Sequence, residues 1–239
     1  MTAKALVKII LLNILGIALF FSWYPPETQG FWFQLDKSVF YFFNNLLSEN
    51  KAFMYLVAFV NLRAFDSVAF IFMLLIFYSY YRHCNAQGKR RMFCIGIAML
   101  ASAVIAKQCD MEIPVERPSP TVFFDNVNLV SQLSGWPTKD RSGDSFPGDH
   151  GMMLLIFSAY MLKYFGRAAF GKCLAVFVVF SLPRIMGGAH WLTDVAVGSV
   201  SIVLVVLSWL LLTPASDKFI GWLEPKVPLK IFTPSERKR

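Results

Sequence analysis

Residues 193–212 read TDVAVGSVSIVLVVLSWLLL, a run of 20 residues whose single charged side chain is Asp194, near its start. A helix of about 20 apolar residues is long enough to cross the hydrocarbon core of a bilayer. The whole chain agrees with this interpretation, because 56% of its 239 residues are hydrophobic and 16% are charged. Its mean hydropathy of +0.52 is also higher than a soluble domain needs. We therefore expect an integral membrane protein.

Five further apolar segments resemble residues 193–212 in containing few charged residues. The stretch 31–62 is aromatic but interrupted by charged and amide side chains, which favours amphipathic helices in the membrane interface, with a re-entrant pair as the alternative. The expected fold class is all-α and polytopic, with residues 1–239 forming one domain and a polar cytoplasmic tail from residue 213. We predict six membrane-spanning helices, at about residues 5–24, 64–81, 92–106, 150–165, 172–188 and 193–212.

The net charge of +8 is explained by membrane topology rather than by nucleic-acid binding, so no nucleic-acid partner is expected. With both termini in the cytoplasm, 15 of the 23 Lys and Arg residues fall on the cytoplasmic side. This distribution satisfies the positive-inside rule. The cysteines are scattered without metal-ligand spacing, which predicts neither a disulfide framework nor a metal site. They are Cys84, Cys94, Cys109 and Cys173.

Three short segments combine basic, histidine and carboxylate side chains, and all three fall at the outer ends of the predicted spans. They are residues 116–120 (ERPSP), 145–151 (SFPGDHG) and 183–194 (PRIMGGAHWLTD). The outer segment 107–149 is longer than 40 residues, and a loop of that length between packed helices usually has a function. We expect the three segments to meet in one site.

In the last of these segments, five residues separate Arg184 from His190, and three separate His190 from Asp194. If both His190 and Asp194 are helical, they share a face. A carboxylate within hydrogen-bond reach of one imidazole nitrogen fixes the tautomer and makes the other nitrogen a better nucleophile. The alternative is a set of solvated residues at a membrane boundary, but ionisable residues at such depth are usually functional.

The middle segment predicts the start of a helix, with Ser145 as N-cap and Pro147 in the first turn. The free amides at a helix start bind phosphate oxygens readily, so we expect the phosphate to lie near Gly148 and Asp149. His150, one turn in, is placed to protonate a departing oxygen. Taken alone, this segment fits a plain helix cap about equally well.

Two further arginines can be interpreted from their neighbours. Arg117 precedes Pro118, which predicts extended backbone, and a guanidinium presented from such a loop can clamp a phosphate; an ordinary loop arginine is the alternative. Arg63 and Asp66 are three residues apart, which favours an ion pair on one helical face over binding of an acceptor headgroup.

Arg117-Pro118, Pro147 to His150, and Arg184 with His190 and Asp194 resemble, in order and in membrane placement, the three signature motifs of the type 2 phosphatidic acid phosphatase superfamily. The resemblance implies a six-helix membrane core and a two-step mechanism without metal or other cofactor. It implies that His190 attacks phosphorus to give a phosphohistidine, that Asp194 holds its imidazole, and that His150 acts as acid and then base. Arg117 and Arg184 match phosphate ligands.

The chain departs from the first motif at one position. The superfamily pattern has a Lys seven residues before its Arg, where this chain has Asp110. We expect Lys107, Lys139 or Arg141 to supply the missing positive charge near the phosphate.

The other two motifs also differ. A Ser-Gly pair before the histidine is replaced by Gly148-Asp149, and a Ser before the arginine is replaced by Pro183. These changes remove a hydroxyl donor and add a carboxylate. We expect them to favour transfer of the phosphoryl group to a lipid over its hydrolysis.

Much of the remaining chain, including residues 61–66, 138–140 and 144–157, resembles those superfamily members that modify lipid A in bacteria. This likeness implies undecaprenyl diphosphate as donor, the 1-phosphate of lipid A or lipopolysaccharide as acceptor, and an inner-membrane location with the site facing the periplasm. The alternatives are an undecaprenyl diphosphate phosphatase and a non-enzymatic lipid transporter. In a transporter, the buried charges would line a path instead of gathering at one end.

Overall fold

The structure, a computed structural model, describes residues 2–24 and 30–233, and no strand occurs in this part of the chain. The all-α prediction is therefore confirmed. A π-helical segment, Asp194–Ser199, leads directly into α10, and short 3₁₀ turns follow α11. The helices are α1 (Ala3–Trp23), α2 (Phe31–Glu49), α3 (Lys51–Val60), α4 (Arg63–Tyr81), α5 (Ala86–Met111), α6 (Pro120–Phe123), α7 (Val130–Ser134), α8 (Asp149–Phe165), α9 (Arg167–Met186), α10 (Val200–Leu212) and α11 (Ala215–Leu223).

Five helical segments in the described residues are long and apolar enough to cross a membrane, namely α1, α4, α5, α9 and the segment Asp194–Leu212. The predicted span at 150–165 corresponds to α8, which is 17 residues long, so the count of six stays a prediction. Helix α5 extends beyond the predicted 92–106 at both ends. The charged residues there continue the helix, because long side chains carry their charged ends to the membrane surface.

Helix α8 lies at the centre of the bundle and packs against α5, α9 and α10. Its residues Met152, Ile156 and Tyr160 belong to one buried apolar cluster with side chains of α5 and α10. The Tyr160 hydroxyl lies 2.7 Å from the Ser102 hydroxyl, so this polar group inside the core has a partner. The start of α8, with His150, is therefore held by a well-packed helix.

Helix α1 packs along α10. Gly16 permits this approach, because a Cβ at that position would lie 3.0 Å from the Ser201 carbonyl oxygen. Nearby, the Asn13 amide donates to the Ser208 hydroxyl at 2.8 Å, and the Trp209 indole donates to the Asn13 side chain at 3.1 Å. Hydrogen bonds of a side-chain amide between apolar helices fix the register of the helices, since an unpaired amide in hydrocarbon is costly.

Helices α2 and α3 occupy the stretch 31–62, where the sequence predicts amphipathic helices. Each buries one face, which in α2 consists of Asp36, Phe40, Asn44 and Leu47, while Phe31 and Phe42 are exposed. The two helices agree with the predicted amphipathic pattern, and their position in the membrane interface stays a prediction.

The outer segment between α5 and α8 is packed against the bundle over much of its length. It begins at residue 112 rather than 107, because α5 continues to Met111. Asn128 donates from its backbone and its side chain to Asn44 of α2, at 3.0 and 2.9 Å. Val130 is fully buried against α3. The segment therefore forms one wall of the outer end of the bundle.

The predicted tail from residue 213 contains α11, in which Ile220 is fully buried against the core. The structure thus corrects the expectation of a merely polar tail, because an apolar face of α11 packs on α5. Its last residues 234–239, including Arg237, Lys238 and Arg239 of the cytoplasmic charge count, lie outside the described residues.

Candidate active site

The three segments singled out by their charged residues meet at one end of the bundle. The Ser145 carbonyl oxygen lies 2.8 Å from the His190 ring, and the Gly148 backbone N–H donates to the Asp194 carbonyl at 2.9 Å. Arg117 donates to the Asp194 carboxylate at 2.8 Å. The sequence placed these residues at the same side of the membrane, and the structure brings them into direct contact.

His190 lies in the turn between α9 and the next helix, and its ring is fixed by backbone. The Nδ1 atom lies 2.8 Å from the Ser145 carbonyl oxygen. A carbonyl can only accept, so Nδ1 carries the proton and Nε2 is the basic nitrogen. The Asp194 carboxylate lies 3.4 Å from the same Nδ1. Sharing of a helical face does not explain this proximity, because His190 precedes the helix.

The turn that carries His190 depends on Gly188, whose φ of +74° lies in the left-handed region. A Cβ there would also meet the Thr121 methyl group at 2.6 Å. The outer segment therefore approaches the backbone of this turn so closely that a side chain at position 188 would displace it.

Asp194 is fully buried and has both oxygens engaged. One accepts from Arg117 at 2.8 Å and the other accepts from the Trp191 backbone N–H, also at 2.8 Å. The carboxylate therefore stabilises the turn before it as well as facing the His190 ring.

Arg117 is also buried, and its guanidinium donates to three side chains. One nitrogen donates to Thr193 and Asp194, each at 2.8 Å, and the other donates to Asp36 at 2.8 Å. The planar group lies over the rings of Trp23 and Trp191, at 5.1 and 4.5 Å from their centroids. Arg117 lies in the non-helical residues 114–119, in agreement with the prediction that it is not inside a helix. Its terminal nitrogens donate to the carboxylates of Asp36 and Asp194, so in this arrangement Arg117 holds residues of the site in place.

Asp36 is the site residue that the sequence reasoning missed. Its carboxylate accepts from Arg117 and, at 3.0 Å, from the Thr193 backbone N–H. Burial raises the pKa of the Asp36 carboxyl above its usual value, and the Arg117 charge and the Thr193 hydrogen bonds offset part of that rise. A signal was present, because Asp36, Phe40 and Asn44 recur at four-residue spacing on one face of α2.

The start of α8 differs from the sequence prediction. Gly148 occupies the N-cap position, and no side chain caps the helix. Ser145, predicted as the cap, instead donates from its hydroxyl to the Arg117 carbonyl at 3.1 Å. Pro147 precedes the helix. His150 is half-buried in the first turn, as expected, and borders the cavity described below.

A π-helical segment ties the start of α8 to the turn with His190. The Asp194 carbonyl, at the start of the π-helical segment Asp194–Ser199, accepts the Gly148 N–H at 2.9 Å. The Ser199 hydroxyl donates to the Gly148 carbonyl at 2.7 Å. A Cβ at Gly148 would lie 2.9 Å from the Val195 side chain. Gly148, which stands where the family pattern has a serine, therefore leaves the space that the Val195 side chain occupies.

Arg184 lies at the end of α9 and is 6% exposed. One of its terminal nitrogens donates to Asp66, whereas the other is buried and has no hydrogen-bond partner among the residues that the structure describes. The Asn61 amide donates to the Pro183 carbonyl at 2.7 Å, which holds the backbone just before Arg184. A buried donor without a partner is costly, and an oxygen-rich group such as a phosphate would satisfy it.

Asp66 pairs with Arg184 and, at 3.4 Å, with Lys139. The expected pair of Asp66 with Arg63 is wrong, because the Asp66 carboxylate faces the site whereas Arg63 is exposed and forms no ion pair within the described part of the chain. Lys139 thus reaches the site from the outer segment.

Lys107 and Arg141, the other candidates for the missing positive charge, have different surroundings. The Lys107 ammonium lies 2.8 Å from both Asp110 and Asp149, so its charge is already balanced by two carboxylates. Arg141 is exposed, and none of the ion pairs in residues 30–233 involves it. Of the three candidates, Lys139 shares a carboxylate, that of Asp66, with Arg184 of the site.

An apolar cavity of about 490 Å³ lies between α4, α5 and α8, with Asp66 and His150 at its polar end. A second cavity of about 550 Å³ adjoins it, and both are bordered by Leu74, Phe77 and Phe93. Together they form a groove that runs from the site along α4 towards Tyr81. A groove of this kind suits an aliphatic chain whose polar head lies at the site.

Residues 97–217 match the model of the PAP2 superfamily. The chain belongs to this superfamily. The matched range contains Arg117, His150, Arg184, His190 and Asp194, whereas Asp36 and Asp66 lie before it. The predicted family is therefore confirmed, and with several apolar helices the chain is a membrane protein.

A curated member of the superfamily is similar over nearly its full length. The chain is 52% identical to lipid A 1-diphosphate synthase of Escherichia coli (strain K12) over 228 residues, which cover 95% of this chain and 96% of the relative. No solved structure shows significant similarity to the chain. Asp36 and Asp66 therefore belong to the part of the site that the family model does not describe.

Proposed function

We propose that this PAP2 superfamily chain is a lipid A 1-diphosphate synthase, which transfers a phosphoryl group from undecaprenyl diphosphate to the 1-phosphate of lipid A. The observation that carries the phosphoryl-transfer chemistry is the His190 ring, whose Nδ1 is held by the Ser145 carbonyl so that Nε2 is the nucleophile. The identity of the lipids is supported by the relative that is 52% identical over 95% of the chain.

In the first step, His190 Nε2 attacks the terminal phosphorus of the donor. A P–N bond forms, the P–O bond to undecaprenyl phosphate breaks, and His150 gives a proton to the departing oxygen. The unpartnered Arg184 nitrogen is available to an oxygen of the transferring group. Asp194, 3.4 Å from Nδ1, stabilises the positive charge that the ring acquires.

In the second step, an oxygen of the lipid A 1-phosphate attacks the same phosphorus. The P–N bond breaks, a P–O–P linkage forms, and His150 accepts the proton that the acceptor loses. The phosphoryl group is conserved throughout, so the reaction needs no ATP. This economy suits a site that faces the periplasm.

The groove supports a lipid donor. It is lined almost entirely by apolar side chains and reaches the site at Asp66 and His150. A polyprenyl chain can pass from the bilayer into this groove at little cost, because both surroundings are apolar. Its diphosphate head would then lie at the end where Arg184 and Lys139 are found.

The proposed location is the inner membrane of a bacterium, with both termini in the cytoplasm and the site facing the periplasm. The distribution of Lys and Arg supports this orientation. Lipid A and undecaprenyl diphosphate would both be met at the outer leaflet, where the proposed site lies.

The test uses purified protein with undecaprenyl diphosphate labelled in its terminal phosphate, with and without lipid A. Label in lipid A supports the proposal. Label released as free phosphate indicates a phosphatase, and unchanged donor contradicts any transfer. His190→Ala should abolish labelling, and His83→Ala is the matched control, because His83 contacts Arg82 far from the site in sequence and fold.

The preference for lipid over water is tested at Asp149, which is exposed and paired with Lys107 at 2.8 Å. Asp149→Gly restores the family residue and should raise the share of hydrolysis. Gly148→Ser requires Val195→Ala beside it, since its Cβ would lie 2.9 Å from Val195. An unchanged ratio of transfer to hydrolysis in both variants would show that these positions do not select the acceptor.

A further inference from the structure

Asp36 is 1% exposed and lies on the inward face of α2. Its carboxylate accepts from Arg117 at 2.8 Å, from the Thr193 backbone N–H at 3.0 Å and from the Thr193 hydroxyl at 2.5 Å. Several strong donors thus converge on one buried carboxylate. Burial of a charge without such partners costs several kcal/mol, so Asp36 and its partners form one unit.

The partners of Asp36 lead directly to the histidine. Arg117 donates to Asp36 with one terminal nitrogen and to Asp194 with the other. Thr193, which Asp36 holds by backbone and side chain, immediately precedes Asp194. Asp194 in turn lies 3.4 Å from His190 Nδ1. Asp36 is therefore linked to Asp194 in two ways, through the Arg117 guanidinium and through the backbone of Thr193.

The charges in this unit also have a consequence for the ring. One guanidinium lies between two carboxylates, so that Asp36, Arg117 and Asp194 together carry a single negative charge. Without the Asp36 charge, Arg117 would neutralise Asp194 alone. The His190 ring becomes positively charged when it carries the phosphoryl group, and it would then lose the net negative charge beside it.

We propose that Asp36 is a positioning residue for phosphoryl transfer, holding Arg117 and Thr193 so that Asp194 supports the His190 ring. The inference rests on the proposed function. It assigns a role in the site to α2, which lies outside the residues 97–217 matched by the family model. Asp36 does not contact the groove described above, so it acts through Arg117 and Thr193 rather than on the lipid.

The experiment compares Asp36→Asn with Asn44→Ala in the full-length protein, using labelled undecaprenyl diphosphate and lipid A. Asn44 is the matched control, because it lies on the same buried face of α2 but bonds to Asn128 instead of the site. We expect Asp36→Asn to lower kcat by about 100-fold, as a small misplacement of catalytic groups does. Its KM for the donor should not change, and Asn44→Ala should keep the parental kcat.

A purely structural role for Asp36 would lower the amount of folded protein and leave kcat per folded molecule unchanged. The melting temperature of each variant in detergent and the rate of phosphohistidine formation in a single turnover separate the two cases. Parental kcat in folded Asp36→Asn, or an equal loss of kcat in Asn44→Ala, would overturn the proposal.

Thr193→Val provides a second variant that keeps its backbone N–H and loses the hydroxyl bonded to Asp36 and Arg117. It should lower kcat less than Asp36→Asn, and the two changes together should be less than additive because they act in one network. If Asp36→Asn does not fold, parental kcat in Thr193→Val overturns the proposal. Absence of transfer and hydrolysis in the parental protein would instead reject the proposed function.

Discussion

Arg117 and Arg184 are both buried at the outer end of the bundle, yet their surroundings differ. Arg117 is bound by two carboxylates and a threonine and lies over two indole rings. Arg184 binds the half-buried Asp66 with one terminal nitrogen, and within residues 2–24 and 30–233 its other terminal nitrogen has no hydrogen-bond partner. One arginine is saturated by the protein, and the other has a donor left for a ligand.

This difference divides the site into a supporting part, which contains Arg117, and a substrate-binding part, which contains Arg184. Arg117 connects α2, the outer segment and the turn with His190, and it is not among the residues that line the groove. Arg184 and Asp66 lie where the groove begins. The family resemblance implies phosphate binding for both arginines, but the hydrogen bonds favour Arg184 for that role. Arg117 instead fixes the carboxylate beside the nucleophile.

The largest effect is expected from Arg117→Met. The substitution leaves Asp36 and Asp194 buried without a cation, and breaking a buried pair in this way costs about 3–5 kcal/mol of folding free energy. Denaturant unfolding in mixed micelles measures this loss. Arg184→Met is the control, since its partner Asp66 keeps contact with water and Lys139. Equal destabilisation by both variants would remove the distinction between the two arginines.

Arg184→Lys keeps the charge and removes the planar fork that leaves one nitrogen free for an oxygen of the transferring group. Loss of one such donor lowers kcat by about 100-fold or more. The folding free energy should change little. The measurement is steady-state transfer of labelled phosphate, with Arg63→Lys as control because Arg63 is exposed and lacks an ion pair in the described structure. Unchanged kcat in Arg184→Lys would mean that Arg184 is structural, like Arg117.

The sequence was sufficient to predict the all-helical class and the meeting of the three charged segments. Both follow from strong signals, which are long apolar runs and arginine, histidine and carboxylate residues at the ends of those runs. Helix α5 is longer than the predicted span at 92–106, because the charged residues next to that apolar run also adopt helical backbone. The prediction of Ser145 as N-cap was wrong, because its hydroxyl donates to the Arg117 carbonyl, which is distant in sequence.

The partners of each arginine could not be predicted, because they come from distant parts of the chain. Asp36 is 81 residues from Arg117, and Asp66 is 118 residues from Arg184. Local spacing instead suggested that Asp66 pairs with Arg63. Periodicity shows which face of α2 is buried, but it does not show what that face contacts. The division into a supporting and a substrate-binding part therefore required the structure.

The groove offers a test of the substrate-binding side with a smaller effect. Leu100 of α5 and Leu11 of α1 are both exposed, at 61% and 60%. Of these two residues, Leu100 borders the groove and Leu11 does not. Leu100→Trp should raise the KM for undecaprenyl diphosphate, because overpacking costs about 1–3 kcal/mol, which corresponds to about 5- to 150-fold in affinity. Leu11→Trp should leave KM unchanged. Equal KM values for the two variants would place the lipid chain elsewhere.

The smallest effect is expected far from both arginines, at Asp217 of α11, which pairs with Lys163 at 2.8 Å and accepts from the Tyr164 hydroxyl at 2.9 Å. Lys163 is 13 residues from His150 along α8, about 20 Å. Burial acts to raise the pKa of the Asp217 carboxyl, but these partners hold it below its usual 3.8. The pair therefore stabilises the fold above pH 3.8, and this contribution is lost as the pH falls through the lowered pKa.

Asp217→Asn should cost about 0.5 kcal/mol at pH 7, as exposed ion pairs do, and the difference from the parent should vanish under strongly acidic conditions. Unfolding at several pH values measures it. Because this pair holds α11 and not the His190 turn, kcat and KM should stay at parental values. A fall in kcat would show that the site depends on packing at the opposite end of the bundle. The assignment of support to Arg117 and of substrate binding to Arg184 would then be incomplete.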